Sequence, residues 1–138
     1  MSEIKVDKIS GKTSVNAVTV TGENGSTTTN LQQGLAKAWI NFNGTGTIAS
    51  RDTFNITSLA DVATGKYSFN IINDMNNNDY AISGGGRTPS ATSGDINAPS
   101  DADSDQATGS LEFYSIQGSS GNATDLSHVY VIIHGDLA

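Results

Sequence analysis

The sequence predicts an all-β protein: an antiparallel β-sandwich, jelly-roll-like, with an extended N-terminal arm and a short helical turn. Three observations lead there. Apolar and polar residues alternate over short segments, which is the period of a half-buried strand. Gly, Asn and Asp cluster between those segments as turn residues. No alternation of strand and helix patterns runs along the chain, so a parallel βαβ architecture is excluded.

Composition sets the bounds. The 138 residues accommodate one domain and an arm. The hydrophobic share of 36% gives a thin core, which favours burial of further surface between subunits. Cysteine is absent, so there is no disulfide, thiolate nucleophile or cysteine metal site. No apolar run approaches the ~20 residues of a membrane span. The opening MSEIKVDKIS lacks the apolar stretch of a secretory signal.

Charge is unevenly spread. Residues 1–87 hold seven acids and seven bases, whereas Thr88 to Ala138 holds seven acids and no Lys or Arg. The net charge of −7 sits in that last part. This excludes nucleic acid as a partner, because phosphates require basic neutralisation. An acidic surface serves solubility, or else takes a cation or a positively charged partner.

The arm spans residues 1–30 and the head residues 31–138. In the arm, Lys5, Lys8 and Lys12 interleave with Ile4, Val6 and Ile9. In extended backbone Ile4 and Val6 share a face that so short a segment cannot bury alone. These six residues form a candidate docking segment; the alternative is a frayed terminus. Val15 to Thr21 suits a short strand, and Gly22 to Asn30 reads as a loop. Asn30 with Gln33 resembles a capping box for one or two helical turns, which Gly34 then limits.

The head begins where the period changes to two. Ala36, Ala38, Ile40 and Phe42 point one way, and Lys37, Trp39, Asn41 and Asn43 the other. Asn43-Gly44-Thr45-Gly46 is a turn. Phe54 and Ile56 continue an alternation, Asp61 to Gly65 turns the chain, and Tyr67, Phe69 and Ile71 alternate again. Asp74 to Asp79 is a polar turn before Tyr80 and Ile82. Ser83 to Gly109, with its glycine run and both prolines, reads as a long loop and as a candidate contact surface. Leu111 to Ile116 and His128 to Ile133 close a set of six or seven strands. Val129, Val131 and Ile133 face inward. His128, Tyr130, Ile132 and His134 share the outer face, which is half apolar and suits cover by another subunit.

The block AKAWINFNGTGTIASRDTFNITSL, then KYSFNIINDMNNNDYAI and the closing VYVIIHGDLA, resembles the head domain of bacteriophage tail-fibre-like virion proteins of marine-phage type. SEIKVDKISGKTS is similar to the leader of such proteins, and NLQQGLAKAW to the bridge into the head. The resemblance implies a homotrimer on the virion, held to tail or capsid proteins by its leader, with the head facing outward. It implies recognition of a host-surface glycan or receptor. A capsid decoration protein and a carbohydrate-binding module remain alternatives.

Candidate chemistry is sparse. Asp101, Asp103 and Asp105 alternate, and Glu112 stands at the spacing of a calcium-loop acid. Gln106 occupies the place where that loop needs glycine, so a solvated acidic loop competes with a weak calcium site. His128 and His134 are roughly 20 Å apart in extended β, too far to share one metal. No nucleophile elbow, zinc-protease motif or phosphate-binding loop is present, and the sequence predicts no enzyme and no cofactor. Trp39, Tyr67, Tyr80, Tyr114 and Tyr130 are core or interface candidates, with sugar stacking as the alternative.

Overall fold

A computed structural model describes residues 3–13, 17–21, 25, 28–88, 93–97, 105–117 and 120–138. The chain divides into two compact units, Met1–Leu35 and Ala36–Ala138.

In the first unit, β1 (Thr19–Thr21) pairs antiparallel with β2 (Thr28–Asn30). The threonines expected in a loop thus form a strand, as their β-branched side chains favour. Asn30 then caps a single turn. Its Oδ1 accepts the Gln33 amide at 3.1 Å, and the Gly34 amide donates to its carbonyl at 3.3 Å. The turn ends at Gly34 and Leu35 and grows into no named element.

Among the described residues the second unit forms a nine-stranded antiparallel sheet folded over itself. Its strands are β3 (Ala38–Asn43), β4 (Ala49–Phe54), β5 (Ile56–Ala63), β6 (Lys66–Ile71), β7 (Ala81–Arg87), β8 (Ser93–Asn97), β9 (Gln106–Ala107), β10 (Ser110–Gln117) and β11 (His128–His134). Their order is β4-β3-β11-β7-β8-β10-β6-β5, with β9 also on β10. The fold is all-β and sandwich-like. Phe42 of β3 meets Tyr67 of β6 edge to face at 5.0 Å and Phe113 of β10 at 6.2 Å, so the two halves of the sheet face each other.

The period-two pattern chooses the buried face. Ala38, Ile40 and Phe42 are buried, as are Val129, Val131 and Ile133, Tyr67, Phe69 and Ile71, and Leu111 and Phe113. Met75, Tyr80 and Leu126 close the ends of this core. Aromatic rings that meet edge to face add to the transfer of their area from water.

Three expectations of the second unit are corrected here. Phe54 and Ile56 do not share a face: Phe54 is 53% exposed and Ile56 is buried. Asn55 between them has a φ of +60°, and this left-handed residue turns the chain from one end of the sheet order to the other. The Asn55 side chain holds the corner, donating from Nδ2 to the Lys37 carbonyl at 2.9 Å and accepting the Asn73 amide on Oδ1 at 2.9 Å.

The stretch Ser83 to Gly109 is not one long loop. It contains most of β7, all of β8 and β9, and so the centre of the sheet. Glycine gives no alternation to read, yet here it suits a strand. A Cβ on Gly86 would lie 2.6 Å from the His128 carbonyl oxygen, and one on Gly85 would lie 2.7 Å from the Tyr130 hydroxyl. The turn after β5 is also shorter than expected. Asp61 to Ala63 belong to the strand, and Thr64-Gly65 alone reverses the chain, with Gly65 at a φ of +67°.

Candidate functional site

The six docking-segment residues all lie in the first unit. Ile4, Val6 and Ile9 are 87%, 57% and 63% exposed, and Lys5, Lys8 and Lys12 are exposed with them. Lys5 pairs with Glu3 at 3.4 Å, a contact between two solvated groups. Val6, Lys8 and Ile9 line an open groove of about 700 Å³ together with Val18, Leu31 and Leu35.

Of the four acids considered for calcium, Asp101 and Asp103 lie outside the described residues. Asp105 is half-buried beside β9. Glu112 stands on the outer face of β10 and forms an ion pair with Lys66, whose Nζ also lies 5.3 Å from the Tyr114 ring. Lys66 is held above its ordinary value by the hydrogen bond to Glu112. Among the described residues no three acidic or histidine side chains form a group able to hold a metal.

The aromatic candidates separate by position. Tyr67 and Tyr80 are core residues whose hydroxyls meet backbone carbonyls, Gly44 at 2.9 Å and Ala107 at 3.0 Å. Burial pushes both phenols up, Tyr80 to about 12. Trp39, Tyr114 and Tyr130 are on outer faces, half-buried or exposed.

The outer face of β4, β3, β11 and β7 gathers the remaining chemistry. Register places Phe54, Trp39, Ile132 and Ser83 in one row across the four strands. Asp52, Asn41, Tyr130 and Gly85 form the next row. Tyr130 is 48% exposed, and its ring lies over Gly85, which leaves the room that a side chain would fill. The face is thus an apolar row beside a mixed polar and aromatic one.

Both arginines of the chain reach the edge of this face where β11 begins, Arg87 from β7 and Arg51 from β4. Arg87 is the register partner of His128. Arg51 occupies the bulge where β4 slips against β3, which aims its side chain across β3. One of its terminal nitrogens donates to the Ser127 carbonyl at 2.5 Å, and the other lies 3.4 Å from Asn41 Oδ1. The Ser127 hydroxyl donates to the Arg87 carbonyl at 3.1 Å and lies 3.2 Å from His128 Nδ1. With its proton directed at Arg87, that hydroxyl accepts from Nδ1–H and leaves Nε2 as the open nitrogen. Desolvation, then the charges of Arg51 and Arg87, hold His128 below its ordinary value.

This cluster was not legible in the sequence. Arg51, Arg87 and His128 lie on three strands, and β11 enters the sheet between β3 and β7. The sole signal was the shared outward parity of His128 and Tyr130. Comparison with protein-family models, curated proteins and solved structures gives no match for the chain. The class that the fold defines is a small all-β, sandwich-like protein. Among the described residues no helix is long and apolar enough to cross a membrane.

Proposed function

We propose that the chain is a non-enzymatic bacteriophage virion protein, a short trimeric fibre or knob that binds a host surface. The first unit docks to tail or capsid proteins, and the β-sheet unit presents its outer face. The observation that carries this reading is the apolar surface of the first unit. Ile4, Val6, Ile9, Val20 and Leu35 are each more than half exposed there. Short β-strands and one turn cannot bury those side chains, so a partner surface completes them. The resemblance of the head and leader segments supplies the virion context.

Labelled antibody on purified particles tests the reading. Labelling at the tail in few copies is expected for a fibre. Labelling over the whole shell, with weaker shells when the protein is lost, assigns capsid decoration instead. Absence from particles overturns the virion reading.

A further inference from the structure

We infer that the Arg51–Arg87–His128 corner, with the Tyr130 ring beside it, binds the carboxylate of an acidic sugar. The inference deepens the proposed recognition role and rests on reading this outer face as the recognition face; it does not depend on where the protein sits in a particle.

Four observations carry it. The first is charge. The second unit holds eleven acids against four bases, yet both arginines converge on Ser127, Arg51 through its guanidinium and Arg87 through its carbonyl. Among the described residues neither arginine forms an ion pair, and the Arg87 guanidinium has no hydrogen-bond partner. A guanidinium presents a planar fork of donors that matches a carboxylate, so an unpaired one is ready to donate to such a group.

The second is pre-organisation. Arg51 is tied to the Ser127 carbonyl, and Ser127 is tied to Arg87 and to His128 Nδ1. These bonds fix the strand ends and leave His128 Nε2 without a partner among the described residues. A bound carboxylate favours the imidazolium, whose Nε2–H becomes a further donor.

The third is the aromatic neighbour. Tyr130 follows His128 by two residues on the same strand, so their side chains stand roughly 7 Å apart on one face. Its ring lies over Gly85 and is 48% exposed. An exposed ring suits the apolar face of a pyranose. Asn41, the register partner of Tyr130, keeps its Nδ2 free for a hydroxyl among the described residues.

The fourth is the border. Asp52 stands opposite Asn41 in register. An acid at this edge disfavours a polyanion over a single anionic group.

The test uses the full chain with methyl glucuronide as the probe. The His128 ring resonances are followed at pH 7, and affinity is measured by calorimetry. Methyl glucuronide should shift those resonances saturably, with a dissociation constant on the order of millimolar. Its neutral methyl ester should shift them little. Inorganic sulfate should act, if at all, at least about fivefold more weakly. Arg87→Gln should weaken the sugar acid at least about fivefold. Tyr130→Ala should weaken the sugar acid but not sulfate. An equal response to acid and ester overturns the carboxylate assignment. Sulfate binding as tight as the sugar acid reduces the site to a simple anion spot. No saturable shift with wild-type protein overturns the inference outright, whether or not the variants fold. Saturable binding by a protein absent from particles would leave this site standing and remove the virion role. Failure of the probe with a protein that still mediates particle adsorption would do the reverse.

Discussion

The Tyr67 hydroxyl lies 2.9 Å from Asp125 Oδ1, and the same carboxylate oxygen accepts the Gly65 amide at 2.6 Å. One side chain of the segment before β11 therefore joins a core tyrosine to the turn between β5 and β6. The Tyr67 oxygen also lies 2.9 Å from the Gly44 carbonyl oxygen, so one proton serves two acceptors. Tyr67→Phe leaves those acceptors one donor short in a buried place. It should lower unfolding free energy by about 1–3 kcal/mol in urea titration. An unchanged midpoint would mean that water replaces the hydroxyl.

Gly65 and Gly46 make a matched pair of backbone tests. Both have positive φ, +67° and +64°. A Cβ at Gly46 meets nothing within 4 Å, whereas at Gly65 it would lie 2.7 Å from the Ser115 carbonyl oxygen and 2.9 Å from the Ala123 carbonyl carbon. Gly46→Ala should cost about 1–2 kcal/mol from the left-handed backbone alone. Gly65→Ala should cost clearly more, read as a larger fall in melting temperature. Equal losses would show that the Thr64-Gly65 turn does not pack on Ala123 and Thr124.

Asn55 separates backbone from side-chain effects. Asn55→Gly keeps the left-handed corner but loses the bonds to Lys37 and Asn73, and should cost about 1–2 kcal/mol. Asn55→Ala loses both and should be the less stable of the two. The reverse order in thermal unfolding would contradict the corner geometry.

Alkaline pH should destabilise the second unit. Tyr67 and Tyr80 are raised by burial above the ordinary tyrosine value near 10, Tyr80 to about 12. Above pH ~10 the unfolded chain releases those protons while the folded chain retains them. The folded state then binds more protons, so stability falls as pH rises. The full contribution is present below the unfolded value and is lost as pH climbs through the folded one. Thermal melts from pH 8 to 11 should show a falling midpoint above pH ~10, and Tyr80→Phe should flatten the fall. A midpoint that does not fall, or an undiminished fall in the variant, would remove Tyr80 from the account.

Removing Met1 to Lys12 should leave the melting of the second unit within about 0.5 kcal/mol of the full chain, as for surface changes. If the proposed virion role holds, particle attachment should be lost. Unfolding of the truncated protein would show that the first residues contribute to the core.

Much of the fold is readable from alternation, and its failures are specific. Ala38, Ile40 and Phe42, like Val129, Val131 and Ile133, are buried as their parity demands. The same rule failed across Asn55, because one left-handed residue breaks the parity that joins Phe54 to Ile56. It was silent at Gly84 to Gly86, where residues without side chains carry no pattern to read. There the strand is fixed from outside, by His128, Leu126 and Tyr130 crowding any Cβ. The candidate site was barely legible, since neither arginine shows in the sequence that it lies beside His128.

The sequence by itself determined which side of each alternating strand faces inward, because burial of apolar area acts residue by residue and needs no knowledge of neighbours. It also placed turns at Asn43 to Gly46 and at Gly65, whereas Asp61 and the glycine run of β7 proved to lie in strands. Strand order is a different kind of fact. β11, the last strand, enters between β3 and β7, and only that placement brings Arg87 opposite His128 and aims Arg51 toward them. Long-range pairing is decided by the fit of the whole sheet around the Phe42–Tyr67–Phe113 core, and the outer face follows from that fit.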